Sequence, residues 1–503
     1  MRTHRAIGLG AALLIAAGLT SPHVVSADPA ALDLAATLTT VECPADAKPS
    51  GVECAELTVP LDWQRPDDGR TTTIAVRVKR ATGGDGLGFT FNPGGPGSSG
   101  IDAGPGVYDL LPSSVRERFD FVMWDPRGVG LSGPALRGCE PTPSPDLPDT
   151  GPVDWGDVWT AYAEERGRAN RTCFDANPDS APYLGTWQVV RDLEALRAAL
   201  GYTTWTYWGM SYGTRIAYTY AMTFPGSLRV TVVDGSLWPQ ESIFRIAAQQ
   251  PAAWITGQQV YASIVGRAQG RKLTQVLTAL DDTVVRLDGM RYNRWMVSAI
   301  AYGSLGAQEL YPRVRTLING LHDALFATPA ARDLRATARL LESLNTRSAA
   351  DAAPQYANAF IHCADLHDRP SPQAAAQLAA SAAETYGTTL GFTTGLAVTC
   401  MGLPADYSPA VPRGLDTITL RTPPVVVLST GDVRTPWVWG RTMANQYARS
   451  RTISYESSQH VTYLRTPSAC VNDPVTEYLL TKRLPPARTF CPYVASAEAK
   501  PRV

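Results

Sequence analysis

Charge is scarce in this chain. Of 503 residues only 18% are charged, and 45 basic side chains stand against 46 acidic ones. Without a basic excess there is nothing to neutralise a run of phosphates, which argues against a nucleic-acid partner. Long apolar runs are also missing beyond the N-terminal segment, so no later stretch reads as a transmembrane helix. Histidine is rarer still, with six in the whole chain. That scarcity narrows the choice of any general base. What is plentiful is apolar character, 44% of the residues, enough for a large core and, at this length, for two or more folding units.

The first residues read as an export signal. Arg2 and Arg5 precede the apolar stretch Ala6 to Leu19, and Val25-Ser26-Ala27 supplies small residues at the cleavage positions, which places the mature start near Asp28. The apolar run is short for a bilayer span, so an uncleaved anchor is the lesser reading. No cysteine directly follows it, which disfavours a lipid anchor. Eight cysteines remain: Cys43, Cys54, Cys139, Cys173, Cys363, Cys400, Cys470 and Cys491. An even number in an exported chain argues for disulfides, with about 105 pairings open on paper. Sequential couples 43–54, 139–173, 363–400 and 470–491 each close a modest loop and are the expected pairs. A metal cluster at Cys363, Asp365 and His367 matches no zinc spacing, and no metal or other cofactor is expected.

Along the chain, short β-rich runs alternate with helical ones. Glu56 to Trp63 and Thr71 to Lys79 flank a Pro-Asp-Asp-Gly turn and read as a hairpin. Leu87 to Phe91 and Phe119 to Trp124 read as strands. Helices follow at Trp155 to Ala176 and Thr186 to Leu200, the second with Val189, Leu193, Leu196 and Leu200 on one face. Then come strand Trp205 to Trp208, helix Ser211 to Thr223 and strand Val230 to Val233. This alternation implies a mainly parallel sheet with helices on both faces. From Leu237 to Asp416 the pattern turns Ala-rich and helical without convincing strands, and strands resume at Pro424 to Leu428 and Thr452 to Tyr455. The expected organisation is a signal peptide over 1–27, a first core part over 28–236, a helical lid over 237–416, and a second core part with a C-terminal disulfide segment over 417–503.

Gly209-Met210-Ser211-Tyr212-Gly213 is a G-x-S-x-G elbow between a strand and a helix, the context that makes Ser211 a candidate nucleophile. A serine hydroxyl needs a base. His4 and His23 leave with the signal, and His322, His362 and His367 fall in the helical insertion, so His460 is the base by elimination. Asp432, after strand Val425 to Leu428, is the expected acid and gives the chain order Ser, Asp, His. Asp234 is the competitor, with a turn cap before Gly235 as its plainer role. An oxyanion needs two backbone N–H groups: Tyr212 supplies one, and the glycine-rich loop Asn92 to Gly97 the other, with Gly95 the choice.

With these residues assembled, the chain resembles the secreted tripeptidyl aminopeptidases of actinobacteria, relatives of proline iminopeptidase among the α/β-hydrolases. The resemblance rests on Cys54-Ala-Glu-Leu-Thr-Val-Pro-Leu-Asp62, Asn92-Pro-Gly-Gly-Pro-Gly97, Asp125-Pro-Arg-Gly-Val-Gly130, Asp192-Leu-Glu-Ala-Leu-Arg197, Gly209-Met-Ser-Tyr-Gly-Thr214, Val233-Asp-Gly235 and Asp432-Val-Arg-Thr-Pro436. The tail adds His460, Cys470, Tyr478-Leu479, Leu484-Pro485 and Cys491-Pro492. It implies the α/β-hydrolase fold, the triad Ser211–Asp432–His460, Gly95 and Tyr212 as oxyanion donors, and a Cys470–Cys491 disulfide. It further implies release of short peptides, often tripeptides, from free amino termini. The expected partners are thus peptides or proteins with free amino termini, for an enzyme secreted or retained at the cell wall and not inserted in a membrane. Two departures, Gln459 where relatives usually have glycine before the histidine and Val433-Arg434 in place of a more usual Pro-Val after the acid, touch no triad atom and are expected to reshape the pocket mouth. An exopeptidase needs carboxylates to hold the terminal ammonium. Asp365 and Asp368 are the lid candidates, with solvated surface or a helix cap the preferred role for both. A secreted carboxylesterase or lipase, or a binding protein on an inactive hydrolase scaffold, are the rival functions.

Overall fold

The computed structural model describes residues 36–84, 86–238, 242–287, 290–327, 356–409 and 417–496. The expected signal peptide over 1–27 lies outside them. Strands β1 (Thr37–Val41), β2 (Glu53–Pro60) and β3 (Thr71–Lys79) form an antiparallel edge, with β2 and β3 joined through the Pro-Asp-Asp-Gly turn. Strands then alternate with helices: β4 (Leu87–Asn92), α1 (Gly100–Leu110), α2 (Ser113–Arg118), β5 (Phe119–Trp124), α3 (Trp155–Asp175), α4 (Thr186–Ala199), β6 (Trp205–Met210), α5 (Gly213–Thr223) and β7 (Leu228–Asp234). A long helical stretch follows: α6 (Ile243–Val265), α7 (Arg267–Ala279), the hairpin β8 (Val285–Leu287) and β9 (Met290–Tyr292), α8 (Arg294–Leu305), α9 (Tyr311–Phe326), α10 (Tyr356–Asp365) and α11 (Pro372–Tyr386). The chain then returns to the sheet with β10 (Val425–Ser429), α12 (Trp437–Asn445), β11 (Arg451–Tyr455), α13 (Ala469–Thr481) and β12 (Arg488–Cys491).

Ten strands make one sheet in the order β1-β2-β3-β5-β4-β6-β7-β10-β11-β12, parallel from β5 onward. β5, β6, β7 and β10 are buried at every residue, because helices cover both faces of the sheet. Val189, Leu193 and Leu196 of α4 are buried against it, as their spacing predicts. β4 has β5 on one side and β6 on the other, so the strand order reverses there. In an open parallel sheet such a reversal leaves a crevice at the carboxyl ends of the strands.

Four strands, β1, β8, β9 and β12, lie outside the sequence pattern. The β8–β9 hairpin interrupts a segment that reads as wholly helical, but its strands have three residues each, too few for alternation to show. β1 and β12 are the two sheet edges. β12 follows Leu484-Pro485-Pro486 and is tied to α13 by the Cys470–Cys491 disulfide. The other three disulfides are Cys43–Cys54, Cys139–Cys173 and Cys363–Cys400. Cys363 is therefore not a thiolate ligand, and among the described residues no group of three or more His, Cys, Asp or Glu is placed to hold a metal ion. No described helix is long and apolar enough to cross a membrane.

One buried ion pair fastens the first half of the core. Arg127, in the turn after β5, and Asp192, on α4, are both fully buried. The guanidinium grips both carboxylate oxygens, Nε to Oδ2 at 2.6 Å and Nη2 to Oδ1 at 2.5 Å, and donates to the carbonyls of Leu61 and Pro60 at the end of β2. Trp63 Nε1 gives Asp192 a further hydrogen bond at 2.8 Å. Such a fork satisfies charges that burial would otherwise make very unfavourable. Arg127→Met strands the carboxylate, and should destabilise the fold by about 3–5 kcal/mol, read as a lowered urea midpoint, with Arg127→Met/Asp192→Leu recovering part of it. A single variant as stable as the parent would contradict this role.

Candidate active site

β6 ends in the elbow. Ser211 has φ 53°, a left-handed conformation unusual for a residue with a side chain. The turn is possible because its neighbours are small: a methyl on Gly209 would stand 2.4 Å from the Gly213 carbonyl oxygen. Ser211 N donates to the Asp234 carbonyl at 2.9 Å, which ties the elbow to the end of β7. α5 starts two residues later, so its amino end faces the crevice.

The loop after β4 closes on the same point. A methyl on Gly94 would lie 2.8 Å from Ser211 Cβ and 3.2 Å from Tyr212 N, so only glycine permits this approach. Asn92 Oδ1 accepts from Gly94 N at 3.0 Å and holds the loop down. Among the described residues, neither Gly95 N–H nor Tyr212 N–H donates to a backbone carbonyl. Both residues line one cavity of about 820 Å³ with Ser211 and His460. The turn behind this loop is fixed by Asp125, which accepts from Ser99 Oγ (2.6 Å), Ile101 N (3.0 Å) and Leu131 N (2.9 Å). Burial pushes its carboxyl up from the ordinary range.

His460 and Asp432 meet from separate loops. His460 Nδ1 lies 2.9 Å from Asp432 Oδ2 and 3.2 Å from Oδ1. The carboxylate is buried and also accepts from Arg434 N (2.8 Å), Thr435 N (3.0 Å) and Thr435 Oγ1 (2.8 Å). Nothing in the sequence marks Thr435, which lies within the Asp432–Pro436 run. Its hydroxyl orients the acid. His460 N donates to the Gly306 carbonyl at 2.8 Å, so the loop after α8 holds the histidine backbone.

Asp234 does not contact the imidazole. It is buried and accepts from Thr462 N (2.9 Å) and Tyr463 N (2.8 Å) in the loop that follows His460. This is neither the rival acid nor a cap for Gly235: it braces the histidine loop. Burial raises its carboxyl to about 7, while those backbone bonds act the other way.

The other sequence candidates are distributed differently. Asp368 accepts from Ile243 N (2.9 Å) and Phe244 N (3.0 Å) and so caps α6, and Asp365 is buried against Thr186 and Tyr212. Neither is among the residues that line the cavity; Glu309, which no pattern marks, is the one carboxylate among the described lining residues. Gln459 lines the cavity, although most of its side chain is buried. It accepts from Gln308 N at 2.8 Å and donates to the carbonyls of His460 (2.9 Å) and Val461 (3.1 Å). Arg434 lines the cavity as well and is exposed, whereas Val433 is buried and is not among the lining residues.

The sheet order and the strand–elbow–helix turn are those of an α/β hydrolase, and with this histidine–carboxylate pair they define the class: a serine hydrolase of that fold. Residues 89–264 match the family described as alpha/beta hydrolase fold, and residues 390–491 match TAP-like protein. The chain is 30% identical to serine protease Hip1 of Mycobacterium tuberculosis over 469 residues, 88% of each chain. It is 33% identical to tripeptidyl aminopeptidase of Streptomyces lividans over 205 residues, 39% of this chain and 38% of that one. It is also 29% identical to carboxylesterase B of Mycobacterium tuberculosis over 466 residues, 87% of this chain and 86% of that one. The protein belongs to the tripeptidyl-aminopeptidase-like family of α/β-hydrolases.

Asp432 and Asp234 predict different penalties when each carboxylate is replaced by an amide. Asp432→Asn removes the acceptor for His460 Nδ1 and should lower kcat by about 10⁴-fold. Asp234→Asn sets an amide N–H against a backbone N–H, shifts the histidine loop, and should lower kcat by about tenfold to a hundredfold. Steady-state kinetics on one substrate separates them; equal losses would contradict the assignment.

Proposed function

We propose that the protein is a secreted serine exopeptidase that releases short peptides, tripeptides above all, from free amino termini. Ser211 Oγ attacks the scissile carbonyl while His460 takes its proton and Asp432 stabilises the imidazolium. The N–H groups of Gly95 and Tyr212 receive the oxyanion. His460 then protonates the leaving amine, and water, activated by the same histidine, releases the peptide from Ser211. Four disulfides favour an oxidising compartment and support export. The reading treats 237–416 as a lid that closes the cleft over the sheet.

The observation that carries the exopeptidase reading is Glu309. The residues just before it are fixed to the histidine loop: Gly306 O accepts from His460 N, and Gln308 N donates to Gln459 Oε1. A carboxylate at a set distance from the triad is what counting residues from a terminal ammonium requires. Carboxylesterase activity is the second reading, favoured by the carboxylesterase B relative and by the aromatic lining of Trp254, Trp295, Tyr302 and Phe392.

The test is a ladder of peptides with free or acetylated amino termini, read by mass spectrometry with the parent and Glu309→Gln enzymes. Tripeptides should appear only from free termini, and Glu309→Gln should raise KM for them by about tenfold or more, the worth of a charged hydrogen bond. Cleavage blind to acetylation would overturn the exopeptidase reading, and turnover of nitrophenyl esters without peptide release would favour the esterase.

A further inference from the structure

Helix α10 lies far from the elbow in sequence, yet it touches both halves of the oxyanion pocket. Near its start, Asn358 Nδ2 donates to the Pro96 carbonyl at 2.8 Å, one residue beyond Gly95. The backbone there is in contact as well: a methyl on Gly97 would lie 3.4 Å from Asn358 N. At its end, Asp365 is buried and accepts from Thr186 N (2.7 Å), Thr186 Oγ1 (2.6 Å) and the Tyr212 hydroxyl (3.3 Å). Thr186 Oγ1 and the Tyr212 hydroxyl are hydrogen-bonded to each other too, which closes a three-membered network. Between the two ends, His362 lines the cavity with its ring 6.2 Å from that of Tyr212. Cys363–Cys400 ties the same helix to the chain just past the segment Thr388–Val398, which also borders the cavity.

The chemistry described above uses Gly95 and Tyr212 only through their backbone N–H groups and gives these side-chain contacts no part. Oxyanion donors act by being fixed before charge develops, so a small loss of alignment weakens them. We propose that Asn358 and Asp365 are positioning residues that hold the two oxyanion donors at a fixed spacing, so that the helix roofing the cavity also completes the oxyanion hole. The inference rests on the assignment of Gly95 and Tyr212 as donors, and not on the choice between peptide and ester substrates.

The side-chain chemistry separates a positioning role from mere packing. In Asp365→Asn, Oδ1 still accepts from Thr186 N, and the amide N–H₂ can donate to Thr186 Oγ1 and the Tyr212 hydroxyl, since hydroxyls also accept. Asp365→Ala and Asn358→Ala release the two donors separately. Each variant is assayed for kcat and KM on a tripeptidyl amide and on a nitrophenyl ester, and for inhibition by a peptide aldehyde, which adds to serine as a tetrahedral adduct, and by the product tripeptide. Thermal unfolding checks that each is folded.

Asp365→Ala and Asn358→Ala should each lower kcat by about tenfold or more, with KM unchanged within about twofold. They should weaken the aldehyde in step with kcat and leave the product tripeptide's affinity unchanged. Asp365→Asn should recover most of the rate. Should Asp365→Ala not fold, Asn358→Ala and Tyr212→Phe carry the same comparison. Unchanged kcat in folded variants, or equal weakening of aldehyde and product, would overturn the proposal. Ester turnover by the parent enzyme without peptide release would sink the exopeptidase reading while leaving this test intact, because both reactions pass through the same oxyanion.

Discussion

A single strained turn organises this molecule. Ser211 is held at φ 53° between β6 and α5, a conformation that costs of order 1–3 kcal/mol outside glycine. The surroundings must over-determine it. The Asp234 carbonyl receives Ser211 N, Gly209 leaves room for the turn, and Gly94 brings the neighbouring loop into contact with Ser211 Cβ. These constraints come from β4, β6 and β7, which are adjacent in the sheet. The strand order that reverses at β4 is therefore also what brings a glycine-rich loop to the nucleophile's side.

The buried carboxylates of the chain stand where they fix geometry. Asp192 locks Arg127 beneath the first core half, Asp125 shapes the turn behind the glycine loop, Asp234 braces the histidine loop, and Asp432 orients the imidazole. Each buried carboxylate accepts several hydrogen bonds, which is the condition for burial at tolerable cost. Asp365 extends the pattern into the helical segment. Ser211, Asp432 and His460 stand on loops that follow strands of the sheet, while much of the cavity wall comes from the chain between β7 and β10.

Much of this was legible in the sequence. The parallel strands β4, β5, β6, β7, β10 and β11 are rich in β-branched or aromatic residues and stand close to where the pattern puts them. Scarcity helped as well: with so few histidines, elimination pointed to His460, which the structure pairs with Asp432. What stayed hidden depends on contacts distant in the chain. Nothing local distinguishes Asp234 bracing Thr462 and Tyr463 from Asp234 reaching the imidazole, since both place an acid after a strand. Asp365 and Asp368 read alike as lid carboxylates, yet one is buried under Tyr212 and the other caps α6. Gln459 borders the cavity, but its amide is spent on three backbone groups, and Val433 beside the acid is buried away from the cavity. Glu309 sits in a short turn with no periodicity to mark it.

The proposed chemistry passes through a covalent peptidyl ester on Ser211. The direct measurement mixes the protein with an activated ester of a free-amine tripeptide, quenches in acid within the first turnover, and maps the digest by mass spectrometry. The expected result is the mass of one tripeptidyl group on the fragment containing Ser211, and no adduct after Ser211→Ala. A tripeptidyl adduct on another residue, or turnover that persists in Ser211→Ala, would contradict it.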